Sequence, residues 1–324
     1  MNLTDRESYF QLIKSFDITP FTQSEGWYQM HSYYHPDRII FLINNVKNPT
    51  IACFAHVKKW LGIKMLLIEG ECYKNEESQS AIQIRNFYID IIQSGFQIVE
   101  VSSNTPYRFD YETAMRQAGF LRPVGLFCLP STKIIRLDKQ IEYNKDWRRN
   151  IKKANEHNLR FEKIDKVAND ESNDFIRIFR EMIERKSLSQ PFNKEQIIKL
   201  CSTGEFQLYF VVKSEQRVAS VIIYKFKNFA IPIYSASNST ARQTSASYFM
   251  YDELFKHLKS ENIDIFDMDK LLPSTEGVNN VFYFKNGING THIQLNGEWS
   301  WYKKPIYRPM MYFVKKYLMK KREI

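Results

Sequence analysis

The chain has 324 residues, 44% of them apolar, with 46 Lys and Arg against 36 Asp and Glu, a formal charge of +10. Such a length and composition fit a globular protein of about two domains. Glycine is scarce at 11 residues, where average usage would supply roughly 23. Neither GxGxxG nor GxxxxGK[ST] occurs, which excludes the simple dinucleotide fingerprint and the P-loop.

The opening residues, Met1-Asn2-Leu3-Thr4-Asp5-Arg6-Glu7, lack the basic and apolar regions of a signal peptide. No apolar run reaches the ~18 residues that span a bilayer. A cytoplasmic location is expected. Cys53, Cys72, Cys128 and Cys201 are dispersed with no CxxC, and are expected to be reduced, mostly buried thiols. His31 and His35 have metal-binding spacing, but Pro36 and the tyrosines around it indicate a loop; no metal is expected.

Apolar patterning predicts strands over 38–43, 50–57 and 64–68, the last ending at Gly70. A helix over 80–94 stops at Gly95, a strand follows over 96–101, and a short helix over 110–118 stops at Gly119. Residues 134–137 are extended. The order then recurs: a helix over 169–187, a hairpin of 206–213 with 217–226, a strand over 229–237, a helix over 245–260 and a strand over 263–268. The expected fold is α/β, in two similar modules, each a mixed central sheet flanked by helices. The expected division is 1–140, 141–300 and a basic C-terminal helix over 301–324, with the join running through 138–158.

Several segments resemble the Fem family, the FemABX-type aminoacyl and acyl transferases built from two GNAT (N-acetyltransferase) folds in tandem. Phe21-Thr22-Gln23-Ser24-Glu25-Gly26-Trp27 resembles the opening F-x-Q-S-x-x-W. Ala118-Gly119-Phe120 and 129–137 resemble the end of the first module, and 147–154 the basic helix between modules. Phe175 through Arg185 is similar to the F…M…R helix, Tyr234-Ser235-Ala236-Ser237 to the Y-x-G/A-S strand, and 265–268 to the Y-D-F/M strand. Val281-Phe282-Tyr283-Phe284-Lys285-Asn286-Gly287 resembles the closing F-K-x-G/R-F. The seven motifs stand in family order. No long heptad segment interrupts 155–235, so the resemblance is to the armless type.

The resemblance implies an N-acyltransferase or aminoacyltransferase. Its donor would be an acyl-CoA or an aminoacyl-tRNA, its acceptor an amine of a cell-envelope precursor, a peptidoglycan peptide or amino sugar. No tightly bound cofactor is implied. Lys285 would lie at the transfer site, where an ammonium can stabilise charge developing on the carbonyl oxygen. Tyr234 and Asp267 are the candidates for proton transfer. Asp267 and Asp269, two apart on an extended segment, would share a face. Arg242-Gln243-Thr244-Ser245-Ala246-Ser247 partly resembles the GNAT pyrophosphate loop with serines at its small positions, and helix capping by Thr244 or Ser245 is the competing reading. With the family positions of the basic helix and of Arg185, the expected substrate- or donor-binding residues are Arg242, Ser245, Ser247, Arg185, Arg149, Lys152 and Phe284. Two departures lie on the acceptor side: Lys74 stands where the family has an aspartate, and no lysine follows Trp27 closely.

From Ser300 onward the chain holds eight basic residues and one acid, +7 of the net +10. A helix there, started by Pro309, can lie on an anionic membrane surface with peripheral contact through its lysines. The competing reading is a helix docked on the second module. A non-catalytic, basic binding protein for nucleic acid or anionic membrane is the alternative function, though no RNA-recognition or helix-turn-helix signature is present.

Overall fold

The computed structural model describes residues 2–32, 38–125, 127, 130–186, 192–271 and 280–319. The expectations that rest on His35, Pro36, Cys128, Leu129 and the terminal Lys320, Lys321, Arg322 and Glu323 lie outside the described residues. The chain divides into two units, Met1–Ser131 with Ile293–Ile324, and Thr132–His292.

The chain first builds strands β1 (Asn2–Thr4), β2 (Ile39–Ile43), β3 (Ile51–Trp60), β4 (Ile63–Ile68), β5 (Cys72–Tyr73) and β6 (Ile98–Pro106). With them come helices α1 (Arg6–Ile13), α2 (Glu25–Ser32), α3 (Ala81–Ile92) and α4 (Phe109–Gln117). Next are β7 (Ser131–Arg136), β8 (Arg160–Ile164), β9 (Phe206–Lys213), β10 (Gln216–Phe226), β11 (Phe229–Ser237) and β12 (Ile265–Asp267). Their helices are α5 (Lys145–Asn155), α6 (Asn169–Lys186), α7 (Lys194–Cys201), α8 (Ser239–Gln243), α9 (Ala246–Ser260) and α10 (Asn280–Asn286). The chain closes with β13 (Thr291–Tyr302) and α11 (Tyr307–Phe313), which continues into a wider turn over Val314–Leu318.

In the first unit the strand order is β1-β2-β3-β4-β6-β13, with β5 on β3. Strands β4 and β6 are parallel, paired from Met65↔Ile98 to Ile68↔Val101; the other pairs are antiparallel. The core joins Leu66, Ile68, Val99, Val101 and Trp299 to Phe87, Tyr88 and Ile91 of α3. The return of the chain through β13 had no counterpart in the sequence reading, because a strand that pairs with a segment almost 200 residues earlier leaves no local signature. α11 packs Met311 against Met65 and Ile98. This corrects the expectation that a docked C-terminal helix would sit on the second module.

In the second unit the order is β7-β12-β11-β10-β9-β8, antiparallel except for β11 with β12. The β9–β10 hairpin turns through Ser214 and Glu215, both left-handed at φ 47° and 62°, as a two-residue turn matching strand twist requires. A bulge interrupts the β10–β11 ladder: Ile222 pairs with Tyr234 and Ile223 with Pro232, leaving Ile233 extra. Ala230 faces the core cluster that includes α9, and an even spacing would put Tyr234 on that face too. The bulge turns Tyr234 to the opposite face, where its ring meets Phe179 of α6 at 6.2 Å and Phe192 at 4.5 Å.

Residues 281–286 of the closing motif lie in α10, and Gly287 follows its end. Trp147 of α5 is buried beneath it and donates its indole N–H to the Phe284 carbonyl at 2.8 Å. A Cβ on Gly287 would come within 2.3 Å of Trp147 Cδ1, so only glycine permits this approach. Gly287→Ala is expected to destabilise the protein by about 1–3 kcal/mol, the usual cost of overpacking. Urea unfolding of wild type and variant checks it; equal midpoints would show that the Trp147 contact does not constrain this position.

Candidate active site

Strands β11 and β12 are paired only at Phe229↔Ile265 and Ala230↔Phe266, although β11 runs on to Ser237. Pro232, beside the bulge, has no N–H to offer a neighbour. The two parallel strands therefore part immediately after Phe266, and Asp267 is the first residue beyond the last pair. Phe266 belongs to the core cluster containing α9, so Asp267 faces the other way, onto the same face as Tyr234.

Asp267 is buried, at 8% exposure. Its Oδ1 accepts from the Thr132 hydroxyl of β7 and, at 2.8 Å, from the backbone N–H of Asp269. Burial pushes its pKa up to about 6; the hydrogen bonds from Thr132 and Asp269 and the charge of Lys285 oppose that rise, while the Asp269 carboxylate adds to it. The strand ends at Asp267, and Asp269 turns into the left-handed region at φ 58°. The expected carboxylate pair on one strand face is thus corrected: the two acids flank a turn closed by their own hydrogen bond.

Lys285 reaches this turn from α10. Its Nζ donates to the Asp269 carbonyl at 3.3 Å and the Lys270 carbonyl at 2.9 Å. Burial lowers its pKa, against the pull of Asp269 and Asp267. Among the described residues these two acceptors leave one of the three ammonium protons for a further partner. The structure therefore brings Lys285 and Asp267 into one electrostatic group and places Tyr234 on Asp267's face of the sheet, half-buried among phenylalanines.

The expected donor-binding residues separate into two sets. Ser245 is left-handed at φ 56°, a conformation that favours glycine, and starts α9 without capping it. Its hydroxyl instead donates to Asn150 Oδ1 of α5 at 2.9 Å, so α5 and the N-terminus of α9 are tied together. The Thr244 hydroxyl turns back to the Thr240 carbonyl at 2.9 Å. The capping reading fails for both residues. The first backbone N–H groups of α9, including those of Ala246 and Ser247, have no acceptor within the helix, and Arg242 is exposed just before them. On α5, Arg149 and Lys152 are exposed, Arg149 paired with Asp146 at 2.9 Å. Phe284 belongs to the other set: it packs on Trp147, Tyr248 and Tyr251 at 4.7, 5.1 and 5.2 Å. Arg185 is exposed near the end of α6.

Sequence reasoning passed over Thr132, Asn150 and Lys133. Lys133 is buried, with Nζ 3.3 Å from both the carbonyl and the side-chain oxygen of Asn286, and burial lowers its pKa. A lysine inside the short apolar strand 131–137 was the one available signal.

The first unit holds a buried acid of another kind. Glu71 has no exposed surface and accepts from the hydroxyls of Tyr88, Tyr111 (2.7 Å) and Ser103 (3.3 Å); burial raises its pKa. Its parallel pair, β4 with β6, stays in register over four residues. Trp27 meets Phe21 at 4.9 Å and His31 at 4.4 Å, and burial lowers the pKa of His31 and of His56. Among the described residues, no helix is long and apolar enough to cross a membrane.

Residues 142–277 match the sequence model of the acetyltransferase (GNAT) domain. No curated protein matches the chain. Among solved structures, FemX is 12% identical, with 96% of this chain and 99% of that chain covered at a TM-score of 0.74. L-PGS from Bacillus licheniformis is 13% identical, with 98% and 97% covered at 0.66. A conserved protein of unknown function from Bacteroides thetaiotaomicron is 9% identical, with 93% and 97% covered at 0.60. The chain has the FemABX-type tandem GNAT fold, and its acetyltransferase-type domain makes it an acyltransferase by class.

A raised carboxylate pKa sets a sign for stability against pH. With Asp267 near 6 folded and about 3.9 unfolded, its buried charge is absent at low pH and costs most above pH ~6. Asp267→Asn keeps an acceptor oxygen and removes that cost. On raising the pH from about 5 to about 7.5, the variant should gain on the order of 1 kcal/mol over wild type. Urea unfolding at the two pH values checks this; parallel pH dependences would place the Asp267 pKa in the ordinary range.

Proposed function

We propose that this tandem GNAT acyltransferase moves an acyl or aminoacyl group from an activated, phosphate-bearing donor, acyl-CoA or aminoacyl-tRNA, to an amine of a cell-envelope precursor. The observation that carries the reading is the Asp267–Lys285 group at the point where β11 and β12 part. An amine nucleophile must be neutral to attack, and a carboxylate with a pKa near 6 is suited to take its proton near neutral pH. The amine nitrogen bonds to the donor carbonyl carbon, Asp267 takes the amine proton, and the remaining Lys285 N–H stabilises the oxyanion. Collapse breaks the bond to the leaving thiolate or ribose oxygen, which Tyr234 protonates, and the proton on Asp267 returns to the Tyr234 oxygen through solvent, restoring both groups. No covalent enzyme intermediate is needed.

Donor phosphates would meet the first amides of α9, where helix N-terminal N–H groups favour anions, flanked by Arg242 and by Arg149 and Lys152 of α5. The Ser245–Asn150 bond holds these cations beside the helix start. Arg185 is assigned to the same donor on family position alone; Phe284 acts through packing beneath Lys285. The acceptor class rests on the FemABX-type resemblance, and Lys74 in place of the family's acid marks an acceptor that differs from the usual peptide. A cytoplasmic location fits both co-substrates. The non-catalytic alternative is not favoured, because the GNAT domain match includes Asp267 and Tyr234.

Lys285→Ala is expected to lower kcat by about 10²–10³, the usual effect of removing one oxyanion donor. Ser245→Ala should act mainly on the donor KM. Steady-state kinetics with the donor identified by thermal shift checks both. Full activity of Lys285→Ala would remove that residue from the mechanism. A tRNA donor would make the activity RNase-sensitive and steeply salt-dependent; an acyl-CoA donor would not.

A further inference from the structure

The C-terminal segment of the first unit is inside out. Its inward side packs Met311, with Met310 and Tyr307, on Met65, Ile98, Ile63 and Leu67. The same side buries Lys315, whose Nζ is 2.8 Å from Glu100 and 3.8 Å from Glu298. Its outward side is apolar: Ile306, Phe313, Tyr317 and Leu318 are 65%, 54%, 55% and 62% exposed. Residues 306, 313 and 317 lie on one helical face, and the Phe313 and Tyr317 rings touch at 4.8 Å. Water-facing helix surfaces ordinarily carry the charges, and a contiguous exposed apolar patch marks an interaction site.

A second apolar projection stands in the same unit. The β3–β4 hairpin turns at Leu61 and Gly62, with Leu61 82% exposed and left-handed at φ 46°. Two-residue turns of this kind favour Asn, Asp or Gly at the first position, so leucine is held there against its backbone preference. Trp60, beside it, is 41% exposed, and Ile63, the next strand residue, packs against the C-terminal segment. Exposed lysines accompany both projections: Lys58 and Lys59 precede Trp60, and Lys303 and Lys304 precede the C-terminal helix, with no acid over 56–68 or 299–319.

We propose that the first unit docks on an anionic lipid surface, inserting Trp60 and Leu61 of the hairpin and Phe313, Tyr317 and Leu318 of the C-terminal helix, with Lys58, Lys59, Lys303 and Lys304 at the headgroups. Apolar side chains that enter the acyl boundary and lysines that meet negative headgroups supply the two attractions that peripheral binding needs. A nucleic acid would use the lysines and leave the aliphatic side chains in water. A second copy of this chain would set these lysines against its own, because the acids here, Glu100 and Glu298, are turned inward onto Lys315. Docking is read without catalysis, so it stands or falls separately from the transferase reading.

The test is sedimentation of the full chain with vesicles of phosphatidylcholine alone or with phosphatidylglycerol added. Binding is expected only to the anionic vesicles, weakening as salt rises. The pairs Trp60→Ser with Leu61→Ser, and Phe313→Ser with Leu318→Ser, should each lower the partition coefficient by about tenfold or more, ~1.4 kcal/mol. All these residues are exposed, so thermal midpoints should stay at the wild-type value. Ile82→Ser, an exposed apolar site elsewhere in the unit, should bind as wild type. Equal binding to both vesicle types, no binding, or wild-type binding by both serine pairs would overturn the proposal. So would a wild-type dimer in sedimentation velocity that the serine pairs convert to monomer, since that would assign the surface to a second copy.

Discussion

The arrangement of the second unit turns on one buried carboxylate. Asp267 ends its strand inside the protein, and a buried acid must find donors or give up its charge. It does part of each. The Thr132 hydroxyl reaches it from β7, the Asp269 N–H closes a left-handed turn over it, and Lys285 comes from α10 to the carbonyls of that same turn. Residues 132 and 285, far apart in the chain, thus meet at this turn, one at the carboxylate and the other at the carbonyls beside it. The opposition between burial, which raises the carboxyl pKa, and these partners, which lower it, leaves a value suited to proton transfer near neutrality.

The two units handle a buried acid differently, and the difference separates packing from chemistry. Glu71 is enclosed by hydroxyls, beside a parallel strand pair that stays in register for four residues. Asp267 sits where a parallel pair stops after two residues and where a bulge has already turned Tyr234 onto the same face. The same architecture thus holds one acid beside a parallel pair that stays in register and the other where a parallel pair parts. On this ground we place the proposed chemistry in the second unit.

Much of this was legible in the sequence. The β9–β10 hairpin, β11, α6 and α9 fall within a residue or two of their expected limits, because each is a locally patterned segment with its own start and stop signals. Tyr234, Asp267 and Lys285 were singled out through the family resemblance. What escaped has a common cause. Strand β13 pairs with residues almost 200 positions earlier. The bulge at Ile233 is a register event between two strands. The left-handed turn at Asp269 and the Ser245–Asn150 bond depend on partners brought by the fold. Periodicity reports which face a residue takes along its own element; it carries no information about which distant group will satisfy it. The scarcity of glycine acquires a physical sense as well. Gly287 is retained where Trp147 allows no Cβ, while Ser245 occupies a left-handed position glycine would take more easily and uses its hydroxyl to tie α5 to α9.

The central claim is that burial, working against its three partners, raises the Asp267 carboxyl pKa to about 6. Carbon-13 NMR titration of the aspartate carboxyl resonances, with the Asp267 signal assigned through Asp267→Asn, measures this directly. The account predicts an apparent pKa of about 6 for that resonance, and a higher value in Lys285→Ala, where the favourable charge is gone. A titration in the ordinary range near 3.9, unmoved by Lys285→Ala, would contradict it.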